Sequence, residues 1–288
     1  MKTPIRIAVV GAGMAEQAHA FGYRNASMAA DLVELDVQLV VVVDPNLSLA
    51  QRVADRYGFA AATADLDAVL ADPDVDVVSV AVPNFRHRSV LTAALASGKH
   101  VLAEKPVGRT AEESKALADL AGTCSAVTGV GFSFRRLPGL AAIAAAVADG
   151  RLGEVHTVRG WYDADYASDP LGAWSWRYSQ TQSGGGALLD IGSHVIDAVQ
   201  FVAGPIVSVE AALLRTLIDE RPPPATTSTG PAPSSRAQST PTSPMSRPCP
   251  EAGSEPATPR RSSPRSRPCC AAFATTGAWT PTSPPPCA

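Results

Sequence analysis

The feature that most constrains the fold is a short apolar segment that ends at two closely spaced glycines. Residues 5–10 are rich in β-branched side chains, Gly11, Ala12 and Gly13 follow, and residues 14–30 form an alanine-rich stretch of helical character. β-Branched residues favour strands, and glycine permits the tight turn that joins a buried strand to a helix. The chain is therefore predicted to begin with a strand, a glycine turn and a helix.

Apolar runs that predict strands alternate with helical patterns over the first part of the chain. The predicted strands are residues 5–10, 37–43, 75–82, 100–103 and 127–132, and the predicted helices are residues 14–30, 47–57, 86–97 and a segment after Thr110. Thr110 and Glu113 form a capping box, and Gly58 and Gly98 are placed to end two of the helices. This alternation is typical of right-handed βαβ units. It predicts an α/β fold with a doubly wound parallel Rossmann sheet over residues 1–133.

The pattern changes after residue 133. A helix is predicted over residues 137–148, a half-exposed strand over 155–162, a helix over 187–202 and a strand over 206–214. This mixture predicts a truncated α+β substrate and oligomerisation domain over residues 134–220.

A sharp change in composition separates residues 221–288 from the rest. They hold 17 of the 25 prolines and contain no Leu, Ile or Val. Without branched aliphatic side chains, a segment cannot bury enough apolar area to offset the entropy of ordering its backbone, so a disordered tail is expected. The change is abrupt, falls within a domain and gives residue types that GC-rich codons yield out of frame. We therefore hypothesise a frameshift near residues 220–224.

Charge and cysteine usage exclude several classes of partner. The formal net charge is −3, and the basic tail leaves −8 for residues 1–220, so no nucleic-acid partner is expected. Cys124 is the only cysteine among residues 1–220, which is typical of a reducing compartment. No stretch approaches the roughly 20 apolar residues of a membrane span. A cytoplasmic protein without a membrane partner is expected.

The glycine turn and Asp44 together indicate a dinucleotide site. Glycines at 11 and 13 let the backbone approach a pyrophosphate, which the N-terminus of the next helix stabilises. Asp44 ends the second predicted strand, where a carboxylate binds ribose hydroxyls and repels a 2′-phosphate, so NAD is expected rather than NADP. A solvated residue at a strand end is the alternative for Asp44. Glu16 stands where the fingerprint has its third glycine, and its bulk and charge are expected to weaken phosphate binding.

Two further groups of residues follow predicted strands. Pro83 and Asn84 follow one strand, and Glu104, Lys105 and Pro106 follow the next. Open α/β sheets bind ligands beyond the carboxyl ends of their strands, so Lys105 is a candidate for holding a substrate hydroxyl. The alternative is a surface lysine paired with Glu104.

A carboxylate and an imidazole are spaced for proton transfer in the second half. Asp190, His194 and Asp197 are placed to project from one face of the helix predicted over residues 187–202. His titrates near neutral pH, and a neighbouring carboxylate can orient it. The alternatives are a histidine satisfied within the core and a metal pair, for which no third ligand is evident.

Together these motifs resemble the glucose-fructose oxidoreductase, inositol dehydrogenase and rhizopine-catabolism family (Gfo/Idh/MocA). The resemblance covers about residues 5–220. The residues that carry it are Gly11, Ala12, Gly13, His19, Asp44, Pro83, Asn84, His87, residues 98–106 (GKHVLAEKP) and residues 184–194 (GGGALLDIGSH).

The resemblance implies hydride transfer between NAD and a hydroxyl or carbonyl of a sugar, inositol or related polyol. It implies that Lys105 contacts the reacting hydroxyl and the nicotinamide, that His194 is the general acid/base, and that Asp190 contacts the substrate or supports His194. Trp176 and Arg177 resemble a family pair near the substrate. The cofactor-binding residues it implies are Gly11, Ala12, Gly13, Met14, Asp44, Pro83, Asn84, His87, Glu104 and Lys105.

Three alternatives stay open beside the dehydrogenase. One is a glycosidase of the same fold that uses bound NAD transiently. The others are a cofactor-binding regulator that has lost catalysis and a nonfunctional truncated fragment. For an intact family member, the resemblance implies a homo-oligomer.

Overall fold

The structure is a computed structural model that describes residues 2, 4–29 and 31–223, and the backbone of residues 273–274. The predicted disordered tail lies almost entirely outside the described residues. The predicted frameshift falls at the end of the described range, near residue 223.

Strands and helices alternate through the first part of the chain. The strands are β1 Pro4–Val10, β2 Asp36–Val43, β3 Ala61–Thr63, β4 Val77–Val80, β5 His100–Ala103, β6 Thr128–Val130, β7 Arg159–Gly160 and β8 Phe273–Ala274. The α-helices are α1 Met14–Arg24, α2 Leu47–Tyr57, α3 Leu66–Ala71, α4 Asn84–Ala96, α5 Ala111–Thr123, α6 Pro138–Ala148, α7 Gln180–Ser183 and α8 Ser193–Ala203. Short 3₁₀ segments cover Ala26–Met28, Ser133–Arg136 and Trp176–Tyr178, and a π-helical turn covers Leu188–Gly192.

Six parallel strands form one sheet in the order β3-β2-β1-β4-β5-β6, which confirms the predicted doubly wound α/β fold. The strand order reverses direction beside β1, because β2 lies on one side of it and β4 on the other. Ligands of such sheets bind at this switch point, outside the carboxyl ends of the strands. β7 and β8 form a separate antiparallel pair.

The sheet is buried on both faces, which explains the continuous apolar runs. Ala8 and Val10 of β1 belong to one apolar cluster, and Ile7 and Val9 belong to another. Alternate side chains of a strand point to opposite faces, so the two clusters lie on opposite faces of the sheet. Helices α1 and α2 contribute to the Ile7 cluster, whereas α3, α4 and α5 contribute to the other.

Several predicted boundaries in the Rossmann part differ from the structure. β3 and α3 were not predicted, because three- and six-residue elements are too short for a clear periodicity. Asp65, whose side chain accepts a hydrogen bond from the backbone N–H of Ala68, is the N-cap signal that marks α3. α1 ends at Arg24 rather than at residue 30.

The second half corrects three predictions. The helix predicted over residues 137–148 is present as α6, but the strand predicted over 155–162 is reduced to β7. The strand predicted over 206–214 is wrong for the described residues, which place no neighbouring strand beside it to complete a ladder. Most of its apolar side chains are exposed, Val207 by 91%. The helix predicted over 187–202 is interrupted by the π-helical turn.

The expectation that no stretch approaches the length of a membrane span is wrong by length and composition, because Gln180–Ala203 is long and apolar enough to cross a membrane. It carries Asp190, His194 and Asp197, and ionisable groups are costly in hydrocarbon. This composition suits the wall of a polar site better than a lipid-facing helix.

An arginine–carboxylate pair anchors α8 to the segment that follows β6. Arg135 Nε donates to both carboxylate oxygens of Asp197, at 3.1 and 2.9 Å, and Nη2 donates to Oδ1 at 2.5 Å. Only 7% of the Asp197 side chain is exposed. The pair fixes α8 against the segment that carries Phe134.

Arg135→Ala is expected to lower the free energy of unfolding by about 2–3 kcal/mol, because it leaves a buried carboxylate without its partner. Urea unfolding measures the change. Arg136→Ala is the matched control, since Arg136 is exposed and neighbours the same segment. Equal destabilisation by the two substitutions would contradict the anchoring role.

Candidate cofactor and substrate site

The turn after β1 places backbone N–H groups at the switch point of the sheet. Gly11 has a φ of +105°, a left-handed conformation that favours glycine. Gly13 is the N-cap of α1 and, having no side chain, supplies no capping hydrogen bond. No N-cap side chain therefore satisfies the N–H groups of the first helical turn, which are the groups that bind an anion at such a turn. Ala12 in the turn is fully buried, whereas Met14 is exposed.

Asp44 lies directly beside this turn. Its Oδ2 accepts a hydrogen bond from the Ala12 backbone N–H at 3.0 Å, and its Oδ1 accepts one from the Asn46 N–H at 2.8 Å. The carboxylate thus joins the end of β2 to the glycine turn. Asp44 is therefore held at the glycine turn, and the ribose contact predicted for it stays a prediction.

Glu16 is buried within the same turn, with 6% of the residue exposed. A Cβ atom placed on Gly13 would lie 3.0 Å from Glu16 Oε2, and one placed on Gly11 would overlap the carboxyl group. Burial raises the pKa of Glu16 to about 7. The Glu16 carboxyl group, whose size and charge were expected to weaken phosphate binding, thus lies next to the glycines.

A hydrogen-bond network beneath the turn ties α1 to the ends of β4 and β5. His19 bonds to Ser79 Oγ through Nδ1 at 2.8 Å and to Glu104 Oε1 through Nε2 at 2.9 Å. The Tyr23 hydroxyl donates to Ser79 Oγ at 2.9 Å. Sequence reasoning did not identify Ser79 or Tyr23, because neither stands in a recognisable motif. The network fixes the orientation of Glu104.

Two polar residues after β4 are buried and form hydrogen bonds with the main chain around the site. Asn84, the first residue of α4 after Pro83, donates from Nδ2 to the carbonyl of Ser183 at 2.8 Å. His87 is 1% exposed and bonds through Nε2 to the Val82 carbonyl at 2.8 Å. Burial lowers the pKa of His87, whose side chain packs against the main chain. The cofactor contact predicted for His87 stays a prediction.

Lys105 pairs with Asp190 rather than with Glu104. Its Nζ donates to the carbonyl oxygen of Asp190 and lies 3.4 Å from Asp190 Oδ1. Only 12% of the Lys105 side chain is exposed. Glu104 instead accepts from His19 and from the backbone N–H of Lys105. The alternative of a surface lysine paired with Glu104 is therefore wrong.

Two further side chains lie at the Asp190 carboxylate, and a third packs on one of them. Tyr166 donates its hydroxyl proton to Oδ2, and Arg177 Nε lies 3.9 Å from the same oxygen. The Arg177 guanidinium carbon lies 4.6 Å from the centroid of the Trp176 ring. Burial and the bond to Asp190 raise the pKa of Tyr166, so it stays a donor at neutral pH. Sequence reasoning missed Tyr166, which lies in an irregular loop.

His194 lies in an aromatic pocket. Its ring stacks on Phe134 with centroids 4.3 Å apart and meets the edges or tilted faces of Phe132 and Tyr162 at 6.2 and 6.3 Å. Its Nδ1 is buried without a hydrogen-bond partner among the described residues. Burial and the positive charge of Lys105 lower the pKa of His194. The imidazole is therefore neutral at neutral pH and able to accept a proton.

The three ionisable residues of this segment do not share one face. Asp190 turns towards Lys105, whereas Asp197 turns towards Arg135. The π-helical turn Leu188–Gly192 changes the rotation between them, because it holds more residues per turn than an α-helix. The structure therefore leaves Asp197 outside the candidate site. Among the described residues there is also no group of three metal-ligating side chains.

The parallel sheet and its glycine turn define a Rossmann-type dinucleotide-binding fold. Residues 5–132 match the NAD-binding Rossmann domain of the Gfo/Idh/MocA oxidoreductase family, and residues 140–230 match a C-terminal domain of the same family. The chain belongs to this family.

Two of the relatives are named as dehydrogenases of a sugar or glucoside. Levoglucosan dehydrogenase of Pseudarthrobacter phenanthrenivorans is 36% identical over 76% of this chain and 56% of its own length. D-glucoside 3-dehydrogenase of Escherichia coli is 34% identical over 70% of this chain and 55% of its own length. The solved structure of levoglucosan dehydrogenase with NADH and levoglucosan has a TM-score of 0.74 at 34% identity, and the match covers 77% of this chain and 60% of that one. The chain thus spans between half and two thirds of these relatives.

Lys105→Met is expected to raise the pKa of His194 towards its ordinary value of 6.5, because the substitution removes a nearby positive charge and leaves the aromatic pocket in place. An NMR titration of the imidazole measures the shift. Lys99→Met is the control, since Lys99 Nζ binds the carbonyls of Asp72 and Val75 instead. An unchanged His194 titration in Lys105→Met would contradict the coupling.

Proposed function

We propose that the chain is an oxidoreductase that transfers a hydride between NAD and a hydroxyl-bearing carbon of a sugar, inositol or related polyol. The observation that carries this proposal is the meeting of Lys105, which follows β5, with Asp190 from the second half of the chain. This pair lies at the carboxyl edge of the sheet, where the Gly11 turn also lies. The names of the relatives support the sugar class.

Each residue of the site has a separate role in the oxidation of an alcohol. His194, neutral and in an apolar pocket, accepts the proton of the substrate hydroxyl. The Lys105 ammonium donates a hydrogen bond to the same oxygen and stabilises the negative charge that develops on it. Asp190 holds Lys105 in position through its carbonyl and carboxylate. NAD, when bound, supplies the hydride acceptor.

The polar groups around Asp190 suit a sugar. The Tyr166 hydroxyl, which donates its proton to Asp190, offers a hydrogen-bond acceptor, Arg177 offers donors, and the Trp176 ring offers an apolar face for the C–H groups of a sugar ring. We assign Lys105, Trp176, Arg177, Asp190 and His194 to substrate binding, and add Tyr166 to them.

The cofactor assignment rests on the glycine turn and its neighbours. The left-handed Gly11 and the uncapped start of α1 offer backbone donors for a pyrophosphate, and Asp44 stands beside them for the ribose. The residues that we assign to NAD are Gly11, Ala12, Gly13, Met14, Asp44, Pro83, Asn84, His87, Glu104 and Lys105. A domain boundary near residue 133, a cytoplasmic location and a homo-oligomer of the intact protein stay predictions.

Lys105→Ala and His194→Ala are each expected to lower kcat/KM for sugar oxidation by about 10²–10⁴-fold, because each removes a group that handles the reacting oxygen or its proton. NADH formation with levoglucosan, a glucoside and an inositol measures this. Lys99→Ala is the matched control and is expected to keep the wild-type rate. Wild-type activity in either site variant would contradict its assigned role.

Asp44→Ser is expected to reduce the preference for NAD over NADP by about tenfold. The substitution removes the repulsion between the Asp44 carboxylate and the 2′-phosphate of NADP, and a tenfold change corresponds to about 1.4 kcal/mol. Binding titrations with the two cofactors measure the ratio. Asp36→Asn, at the opposite end of β2, is the control. An unchanged ratio in Asp44→Ser would overturn the role of Asp44.

A further inference from the structure

The space above the glycine turn holds a side chain of the protein itself. Glu16 is 6% exposed, and its carboxyl group lies against Gly11 and Gly13. We propose that Glu16 is an internal ligand of the pyrophosphate subsite, so that NAD binds by displacing it and binds more weakly when its carboxyl group is ionised. This inference rests on NAD binding at the glycine turn, as proposed above.

The position of Glu16 in α1 explains why its carboxyl group turns back. Glu16 is the third residue of α1, and a glutamate there can reach the unpaired N–H groups at the start of its own helix. The N-cap residue, Gly13, has no side chain with which to satisfy them. The positive end of the helix dipole also favours a negative group at this place.

A phosphate and the Glu16 carboxyl group compete for the same volume. A Cβ atom on Gly13 would come within 3.0 Å of Glu16 Oε2, and one on Gly11 would overlap the carboxyl group. Glycine stands at these positions of the fingerprint so that the pyrophosphate can approach the backbone. The same approach is occupied here by carboxyl oxygens. The two anions would also repel each other in this buried site.

The charge of Glu16 is balanced by groups on three elements. Burial, which favours the neutral form, raises its pKa to about 7, and Asp44 at the end of β2 acts in the same direction. Its own backbone N–H, His19 on α1 and Arg177 beyond Trp176 favour the ionised form. Because the balance falls near neutrality, the ionised fraction changes strongly between about pH 6 and about pH 8.

Titration of the full 288-residue chain with NADH at about pH 6 and about pH 8, followed by cofactor fluorescence, tests the proposal. If only the protonated form admits the pyrophosphate, the apparent Kd of the wild type rises by about tenfold from the lower pH to the higher. Glu16→Gln keeps the size and removes the charge, so its Kd is expected to be the same at both pH values. Glu16→Gly also clears the volume, and is expected to bind at least about tenfold more tightly than the wild type at about pH 8.

Glu34→Gln, at an exposed position, is the matched control and is expected to keep the wild-type pH dependence. Circular dichroism of every variant verifies that it is folded. A pH dependence that persists in Glu16→Gln would assign the effect to another group such as His19 and overturn the proposal. A wild-type Kd that is equal at both pH values would overturn it as well. If neither the wild type nor Glu16→Gly bound NADH, the cofactor assignment itself would fail along with this inference.

Discussion

The burial of β1 on both faces is the constraint on which the rest of the structure depends. Ile7 and Val9 pack into one apolar cluster while Ala8 and Val10 pack into the other, so β1 cannot slip or tilt without exposing one of them. Since β2 and β4 flank β1 in parallel, their carboxyl ends come to one edge with it. The position of the glycine turn follows directly from this packing.

Electrostatic pairing across the chain organises the chemistry at that edge. Lys105 is held by Asp190 rather than by its neighbour Glu104, which His19 engages. The ammonium therefore keeps a fixed position between the sheet and the second half of the chain. Its charge, together with the aromatic pocket, keeps His194 neutral. A cationic donor beside a neutral base is the combination that removal of a hydroxyl proton requires.

Local patterns were sufficient to predict most of the Rossmann sheet. Strands β1, β2 and β5 are buried on both faces. Their apolar runs and flanking glycines are visible in short stretches of sequence, which is enough to predict them. The short β3 and α3 were missed because they are too brief to show a period. The strand predicted over residues 206–214 shows the opposite error. Its alternation is clear, but a strand also needs a partner, and the described residues place none beside it.

The ionisable residues of the candidate site could be picked out from the sequence, but their contacts could not. Lys105, Asp190 and His194 were found from motifs, whereas Tyr166 lies in a loop whose path only tertiary contacts define. The π-helical turn also could not be read from spacing, so Asp197 was placed on the wrong face. Glu16 was recognised as discordant, yet only the structure shows that its carboxyl group fills the turn.

The most direct test of the proposed dehydrogenase follows the hydrogen that is transferred from the substrate carbon to NAD. A sugar or inositol that the protein oxidises would be deuterated at the carbon bearing the reacting hydroxyl, and the reduced cofactor would be analysed by mass spectrometry. Direct hydride transfer predicts one deuterium in each molecule of NADH formed and a slower reaction of the labelled substrate. Release of the deuterium to solvent, or cleavage of a glycoside without net formation of NADH, would contradict the proposed dehydrogenase.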